Sequence, residues 1–311
     1  MKSIAPPLSS QRIVPPLVTP LTTGHRVDRE SLVRLLRHAL AAGVDGVLVL
    51  GSTGEGGHLS ADERDVVVAT SAEVCSGRAG VMVGVQSLNT KAACASAKRA
   101  VDAGADHVLI PAPTALDLTQ RELAAHFAAV ASTVDAPVVA YHVPSRTPTS
   151  PKPQLVAELA AAGVISGVKD SSSDLANHRE LVRLTRNVPG FCLLTGSETC
   201  IDMAFLAGFT GAIPGLSNVW PELHVRLGAA ASAGDWSSAR AVQDELGQLS
   251  GLYTLPSARG HASGAMGALK EALVQRGIIE SSTLTVPFSP PSDELSRQVK
   301  EFLALGSESR T

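Results

Sequence analysis

A lysine, a tyrosine and two adjacent hydroxyl residues in this sequence are of the types that carry out carbonyl chemistry. Lys169 ends a short apolar run, residues 164–168, where burial favours the neutral, nucleophilic form of an amine. Such an amine adds to a ketone and loses water. The cationic imine then draws electrons from the neighbouring carbon, where a C–C or C–H bond can break. Taken alone, Lys169 is better explained as a strand-end lysine that extends to solvent. The residues around it must therefore decide between this interpretation and a buried nucleophile.

Three further features are suited to the same chemistry: Tyr141, the loop at residues 51–54, and Arg146. The phenol of Tyr141 can shuttle protons, steered by the hydroxyl of Thr53. The glycine-containing loop 51–54 lets backbone N–H groups approach a substrate carboxylate, to which Ser52 and Thr53 add hydroxyl donors. Each feature also has a structural interpretation: a flexible turn for the loop, a core tyrosine for Tyr141 and a surface ion pair for Arg146.

The pattern of apolar residues predicts the elements that would position these side chains. It predicts eight short strands, at residues 13–18, 46–50, 80–85, 107–110, 137–141, 164–169, 191–194 and 210–213. Helices are predicted between and after them, at 28–42, 60–76, 90–103, 119–133, 152–162, 174–187, 198–208 and 217–233. Eight such units predict an α/β protein with a (β/α)8 TIM barrel. An open doubly wound sheet is the competitor, but no G-x-G-x-x-G follows the first strand.

Three more helices are predicted after the eighth unit, at residues 236–249, 258–276 and 293–303. No linker rich in glycine, serine or charge precedes them. The sequence therefore predicts a barrel over residues 12–233 and a C-terminal helical extension over 234–305, packed on the barrel.

The barrel prediction brings the candidate residues together. In this fold the active site forms at the C-terminal ends of the strands. Lys169, Tyr141, Arg146 and the pair Ser52 and Thr53 all follow or end predicted strands, so they should converge on one mouth. A phosphate cradle at 196–197 and 215–217 is a further possibility, because barrels often bind phosphate after strands seven and eight.

Composition excludes several classes of partner. The chain of 311 residues carries a formal net charge of −3, which favours neither nucleic acid nor an acidic membrane as partner. Its four cysteines show no C-x-x-C pair and no zinc-type spacing, which predicts reduced thiols, a cytoplasmic location and no metal site. No apolar run approaches the roughly 20 residues of a membrane span, and residues 1–11 lack the apolar core of a signal peptide.

The motifs around these residues resemble one family. They are Gly-Ser-Thr-Gly-Glu at 51–55, Tyr-His-Val-Pro-Ser-Arg-Thr at 141–147 and Gly-Val-Lys-Asp at 167–170. The opening Pro-Leu-Val-Thr-Pro-Leu at 16–21 and Gly-Ala-Ile at 211–213 fit as well. In order and spacing, from about residue 12 to 305, they resemble the dihydrodipicolinate synthase/N-acetylneuraminate lyase family of class I, lysine-dependent pyruvate aldolases.

The resemblance implies a role for each residue. Lys169 would form the Schiff base with pyruvate or another 2-oxo acid, and Tyr141 would be the proton shuttle. Ser52 and Thr53 would bind the pyruvyl carboxylate, and the Ile213 backbone would help to seat the substrate. Arg146 would hold the carboxylate of a second substrate, an aldehyde. The family also implies a homo-oligomer, a tetramer or a dimer, and no metal or organic cofactor.

Two departures from the family's pattern bear on the second substrate. The synthase branch carries Pro-Tyr-Tyr after strand four, where this chain has Pro111-Ala112-Pro113, and the chain has only two tyrosines. His142 stands where asparagine is common. We therefore expect an aldolase or lyase acting on a 2-oxo acid. The alternatives are 4-hydroxy-tetrahydrodipicolinate synthase, which condenses pyruvate with aspartate semialdehyde, a 2-oxo acid dehydratase, and a non-catalytic 2-oxo acid binder.

Overall fold

Strands and helices alternate along the computed structural model, which describes residues 12–259 and 262–308. The strands are β1 (Arg12–Ile13), β2 (Gly46–Val49), β3 (Gly80–Gly84), β4 (His107–Pro111), β5 (Val138–His142), β6 (Gly167–Asp170), β7 (Cys192–Thr195) and β8 (Gly211–Ala212). The first eight α-helices are α1 (Arg29–Ala41), α2 (Ala61–Cys75), α3 (Thr90–Asp102), α4 (Gln120–Ala131), α5 (Pro153–Ala161), α6 (Leu175–Thr185), α7 (Ile201–Ala207) and α8 (Pro221–Ser232). The absence of a signal peptide was predicted on residues 1–11, which lie outside the described residues.

The eight strands form a closed parallel barrel. They pair in the order β1-β8-β7-β6-β5-β4-β3-β2. The remaining gap closes just beyond β1, where Pro16 forms a parallel bridge with Leu48 of β2. Leu17 N donates to Leu48 O, and Leu48 N donates to Pro15 O, each at 2.8 Å. The predicted (β/α)8 TIM barrel is therefore confirmed.

Several predicted boundaries differ from the observed ones for local reasons. A strand was predicted over residues 13–18, but β1 ends at Ile13, because Pro15 and Pro16 lack the N–H groups that a continuous ladder needs. The helix predicted at 198–208 begins only at Ile201, which leaves Glu198 in a loop. The helix predicted at 217–233 is a 3-10 turn, Gly215–Asn218, followed by α8, which begins at Pro221.

Polar caps fix where the helices begin. Ser60 and Glu63 form a capping box at the start of α2, each side chain accepting from the other residue's backbone N–H. Asp174 caps α6 by accepting from Ala176 N and Asn177 N. These caps set the loops at the same end of the barrel at which the strands finish.

The core has two layers, one on each side of the sheet. One cluster fills the barrel interior: Val14, Leu48, Met82, Leu109, Val139, Tyr141, Val143, Cys192, Leu194 and Ile213. Alternate residues of the same strands, such as Val47 and Val49, face outward and pack with the helices in a larger cluster. Tyr141 is thus a member of the inner layer, at the upper end of β5.

Three helices form the C-terminal extension: α9 (Trp236–Leu249), α10 (Ala262–Gln275) and α11 (Asp293–Glu308), with a 3-10 turn at Ser250–Thr254. The helix predicted at 258–276 is shorter at its start, and residues 260–261 lie outside the described residues. Gln243 of α9 accepts from Ile201 N at 2.9 Å and donates to Glu198 O at 3.0 Å. On such contacts we propose the division into a barrel, 12–233, and a packed extension, 234–305. Among the described helices, none has both the length and the apolar character needed to cross a bilayer.

Candidate active site

Lys169 and Tyr141 are neighbours on adjacent strands at the C-terminal end of the barrel. They are register partners of β6 and β5, and Lys169 Nζ lies 4.5 Å from the centre of the Tyr141 ring. Lys169 is 6% exposed and Tyr141 8% exposed. The amine is therefore inside the barrel mouth, and it does not extend to bulk solvent as a surface lysine would.

Both side chains line a cavity of about 310 Å³ at this mouth. The lining residues are Pro16, Leu48, Gly51, Ser52, Thr53, Gly84, Gln86, Leu109, Pro111, Tyr141 and Lys169. The cavity wall combines apolar side chains such as Leu48 and Leu109 with polar groups from the loop 51–53 and from Gln86, Tyr141 and Lys169. A small polar molecule with a keto group next to a carboxylate suits such a mixed wall.

A glycine makes room for the lysine side chain. A Cβ atom on Gly196, in the loop after β7, would lie 3.1 Å from Lys169 Cε and 2.0 Å from Ser171 Oγ. Any larger residue at position 196 would displace one of these groups. Gly196 thus has a steric function beside Lys169.

The phenol of Tyr141 lies in a positive environment. Burial alone would raise its pKa, but the Lys169 ammonium, a hydrogen bond with Ser171 and the Arg146 guanidinium together bring the pKa below its ordinary value. A phenol with a lowered pKa gives up its proton more readily, which is what a proton shuttle requires.

The other predicted residues take different positions. Ser52 and Thr53 lie on the cavity wall opposite β5 and β6, and Gln86 Nε2 donates to Ser52 Oγ at 3.1 Å. Arg146 is exposed in the loop after β5, outside the cavity lining, and acts on the Tyr141 phenol through its charge. Ile213 is buried in the barrel interior, where its N–H donates to Thr195 O at 2.7 Å. The structure therefore brings four of the six predicted residues to one cavity.

Three residues near the site were not predicted from the sequence. Gln86 follows directly after the predicted third strand, and that position was the available signal. Ser171 follows Lys169 by two residues and bonds Tyr141. Tyr253 belongs to the extension, and no local pattern connects it with the barrel; its hydroxyl donates to Glu198 Oε1 at 3.1 Å.

Glu198 occupies the backbone amides that a phosphate would need. The N–H groups of Gly215 and Leu216 both donate to its carboxylate, the second at 3.1 Å. The carboxyl group of Glu198 already occupies these donors, which leaves none of them for a phosphate. The phosphate cradle considered for residues 196–197 and 215–217 is therefore disfavoured.

The stability of the protein should depend on the titration of Glu198. Burial raises the pKa of this carboxyl to about 7, against hydrogen bonds from Leu216, Tyr253 and Gly215 that lower it. A raised acid pKa stabilises the fold below pH 4.5, and this contribution is lost as the pH rises through 7. We expect Glu198→Gln to remove up to about 3 kcal/mol of the fall in unfolding free energy between about pH 5 and pH 8. Urea unfolding of the wild type and of Glu198→Gln at several pH values measures this difference. The same pH dependence of the unfolding free energy in both proteins would contradict the prediction.

A second polar cluster fixes the end of β6 from outside the barrel. Asp170 Oδ2 contacts His142 Nδ1 at 3.1 Å and accepts from Asn177 Nδ2 at 2.6 Å. Burial would raise the pKa of Asp170, but His142, the nearby His178 and Ser172 hold it well below its usual range. Because Asp170 follows Lys169 in the strand, this anchored carboxylate restrains the backbone that carries the lysine. The described residues contain no group of three or more His, Cys, Asp or Glu side chains placed to share a metal ion.

Comparison with known proteins of similar sequence and structure identifies the family of this chain. The model of the dihydrodipicolinate synthetase family matches residues 9–305. A 4-hydroxy-tetrahydrodipicolinate synthase of Natronomonas pharaonis is 34% identical over 295 residues, which cover 94% of this chain and 96% of the relative.

Two solved structures superpose on nearly the whole chain. YagE, a prophage protein of the dihydrodipicolinic acid synthase family from E. coli K12, was solved in complex with pyruvate. It has a TM-score of 0.88 and 28% identity, over 96% of this chain and 98% of YagE. A monomeric dihydrodipicolinate synthase variant has a TM-score of 0.89 and 28% identity, over 98% and 99% of the two chains. The family match over nearly the whole sequence, carried on the predicted barrel with the predicted lysine in its mouth, shows that this chain belongs to the dihydrodipicolinate synthetase family.

Proposed function

We propose that this chain is a class I aldolase or lyase in which Lys169 forms a Schiff base with pyruvate or a closely related 2-oxo acid. The observation that carries the proposal is the position of Lys169 at the end of β6, 6% exposed and lining the barrel cavity beside Tyr141. Family membership confirms the class of enzyme, a pyruvate-dependent carbon–carbon lyase. The roles of individual residues and the second substrate are our proposals.

The proposed reaction begins with attack of the lysine amine on the keto carbon. The carbinolamine loses its hydroxyl as water, and an iminium ion forms at Lys169 Nζ. Loss of a proton from the adjacent methyl carbon gives an enamine, which adds to the carbonyl carbon of an aldehyde. Hydrolysis of the imine then releases the product and restores the amine. In the lyase direction the same steps run in reverse.

The cavity residues divide the remaining work. Tyr141 moves protons at the carbinolamine and at the aldol oxygen, with the Thr53 hydroxyl orienting it. Ser52 and Thr53 donate to the substrate carboxylate from the loop after β2, and the Ile213 backbone supports the seated substrate. Gln86 orients Ser52 through the bond at 3.1 Å.

Reductive trapping tests the imine directly. Pyruvate and borohydride added together should increase the intact mass of the protein by one reduced pyruvyl group, located on Lys169 by peptide mapping. Borohydride alone and pyruvate alone are the controls. A protein that takes up no label at saturating pyruvate would refute the Schiff-base proposal.

The second substrate is a separate proposal, and the observations that bear on it point in two directions. The curated relative from Natronomonas pharaonis is a 4-hydroxy-tetrahydrodipicolinate synthase, and Arg146 suits a carboxylate-bearing aldehyde. Against that reaction, Ala112 and Pro113 stand where the synthase branch has tyrosines, and Tyr253 bonds Glu198. We therefore propose an anionic aldehyde as partner and keep the synthase, a dehydratase and a non-catalytic binder as alternatives. A panel of aldehydes with pyruvate, read by product mass, separates these alternatives, and a binder would be labelled without turnover.

Arg146 should contribute to binding of anionic aldehydes alone. Arg146→Ala is expected to raise the KM for carboxylate-bearing aldehydes about tenfold, because a charge-assisted contact contributes about 1.5–3 kcal/mol. Its effect on neutral aldehydes should be small, since they offer no partner for the guanidinium. Steady-state kinetics with one aldehyde of each kind measures the difference. Equal effects on both would mean that Arg146 acts structurally or only through the Tyr141 phenol.

Assembly and location are further proposals. We propose a homo-oligomer, a tetramer or a dimer, from the family resemblance, although one superposable structure is of a monomeric variant. Light scattering after size exclusion decides this. A cytoplasmic location is proposed from the cysteines, none of which forms a disulfide.

A further inference from the structure

A fully buried ion pair joins the loop after β2 to the C-terminal extension. Lys270 Nζ of α10 lies 2.6 Å from Glu55 Oε1, and both side chains are 0% exposed. Lys270 also donates to the carbonyl of Thr283 at 2.7 Å. The second carboxylate oxygen, Glu55 Oε2, accepts from the N–H and the hydroxyl of Thr285, at 2.6 and 2.7 Å. The contacts join elements that are more than 200 residues apart in the chain.

Stability alone does not account for this pair. Removing two charges from water costs about as much as their attraction returns, so apolar residues of similar volume would stabilise the fold equally well. Burial lowers the pKa of Lys270, and only the neighbouring Glu55 opposes that shift. An ion pair differs from an apolar contact because it fixes the orientation of its groups. Here the Glu55 carboxylate must face both the Lys270 ammonium and the Thr285 donors.

The orientation of the Glu55 carboxylate matters because Glu55 lies in the loop that carries Ser52 and Thr53. It follows Thr53 by two residues and Ser52 by three, and its N–H donates to Ser52 O at 3.3 Å. Its φ is +54°, a left-handed conformation that is strained for a residue with a side chain. Such a conformation persists only where the surroundings hold it, and here the anchored carboxylate does so.

The same loop is held on its other side by the first barrel segment. The Thr19 hydroxyl donates to Gly54 O at 2.6 Å. A Cβ atom on Gly54 would lie 2.8 Å from Leu17 O, so the loop backbone lies directly against this segment. Two anchors, one from each end of the chain, therefore determine where the hydroxyls of Ser52 and Thr53 are presented to the cavity.

We propose that Lys270 and Thr285 are positioning residues for the substrate carboxylate, which act through Glu55 on the loop that carries Ser52 and Thr53. This proposal rests on the proposed function. None of the three residues lines the cavity, so they act without touching the substrate. The C-terminal extension is then a part of the active site, since its residues Lys270 and Thr285 supply all three groups that hold the Glu55 carboxylate.

The test compares pyruvate binding in three variants, as the pyruvate concentration that gives half-maximal borohydride labelling of Lys169. Glu55→Gln combined with Lys270→Met removes both charges and leaves no unpaired buried ion. We expect this variant to reach full labelling with a half-saturating concentration raised about tenfold, because a displacement of about 1 Å costs up to about 10²-fold. Thr285→Val keeps shape and removes one hydroxyl donor, and should raise the value about threefold.

Leu273→Ala is the matched control. Leu273 lies on the same helix, is 0% exposed and belongs to the apolar core. Its truncation should lower the melting temperature and leave the half-saturating concentration unchanged. An unchanged half-saturating concentration in both the double variant and Thr285→Val would overturn the proposal. An increase of the same size in Leu273→Ala would overturn it as well. If the double variant fails to fold, Thr285→Val decides alone. A wild-type protein without label would instead refute the proposed function, and the positioning role with it.

Discussion

Lys169→Ala should abolish labelling by pyruvate and borohydride and lower turnover by at least about 10³-fold, because Lys169 is the lysine that lines the cavity and would supply the imine nitrogen. The fold should survive. The side chain of Lys169 faces the cavity, and the strand beside it is held by Asp170 through His142 and Asn177. The expected result is therefore an unlabelled protein with a cooperative thermal transition near that of the wild type.

Two controls separate the nucleophile from the charge. Lys169→Arg keeps a cation beside Tyr141 but cannot form an imine, so it should also remain unlabelled. Lys91→Ala removes an exposed lysine of α3 and should label fully. Among the described residues, Lys270 is the other buried lysine that peptide mapping must consider, and its ion pair with Glu55 shields it from pyruvate. Label retained in Lys169→Ala would show that another lysine forms the adduct and would end the assignment.

The barrel could be predicted from the sequence because its signals are local. Most strands are short apolar runs, and several helices begin at a polar cap such as Ser60 or Asp174. Once the topology was inferred, the strand ends had to meet at one mouth, which placed Lys169 beside Tyr141 without any further information. The predicted strand at residues 13–18 was too long, although the reason is also local. Pro15 and Pro16 lack the N–H groups that would continue the ladder.

The contacts made by the extension could not be predicted in this way. Tyr253 meets Glu198 across 55 positions, and Thr285 meets Glu55 across 230. Such pairs depend on how helices dock, which is determined by shape and by the burial of many side chains together. Arg146 is a different case. A long side chain in an exposed loop has many accessible rotamers, so its position in the sequence does not fix where its charge lies.

The two residues after β4, Ala112 and Pro113, have no hydroxyl group that could pass a proton. Ala112 is 1% exposed and carries no hydroxyl, and Pro113 offers no N–H. Tyr253, the other tyrosine of the chain, donates a hydrogen bond to Glu198. The relay of several hydroxyls typical of the synthase branch cannot be assembled from these tyrosines. In the proposed mechanism, proton transfer would therefore depend more heavily on Tyr141 than it would in a site with several such hydroxyls.

Tyr141→Phe should accordingly lower kcat by about 10²-fold or more, within the usual range for general acid–base catalysis. Labelling by borohydride should persist at a slower rate, because the amine of Lys169 remains. The variant also removes the hydrogen bond with Ser171 and the phenol whose pKa the Lys169 and Arg146 charges help to lower. The pH dependence of kcat should then lose the limb that belongs to the phenol. Stopped assays across pH, together with the rate of imine trapping, measure both effects.

Tyr253→Phe is the matched control, since it removes the same hydroxyl from the only other tyrosine and breaks its bond to Glu198. It should reduce kcat far less than Tyr141→Phe does. A near-normal kcat in Tyr141→Phe would assign the proton transfers elsewhere. His142 is excluded as the substitute, because its ring contacts Asp170 in the outer cluster and does not line the cavity. Water held by Ser52 or Ser171 would then be the carrier, and the loop after β2 would have to supply the acid as well as the carboxylate site.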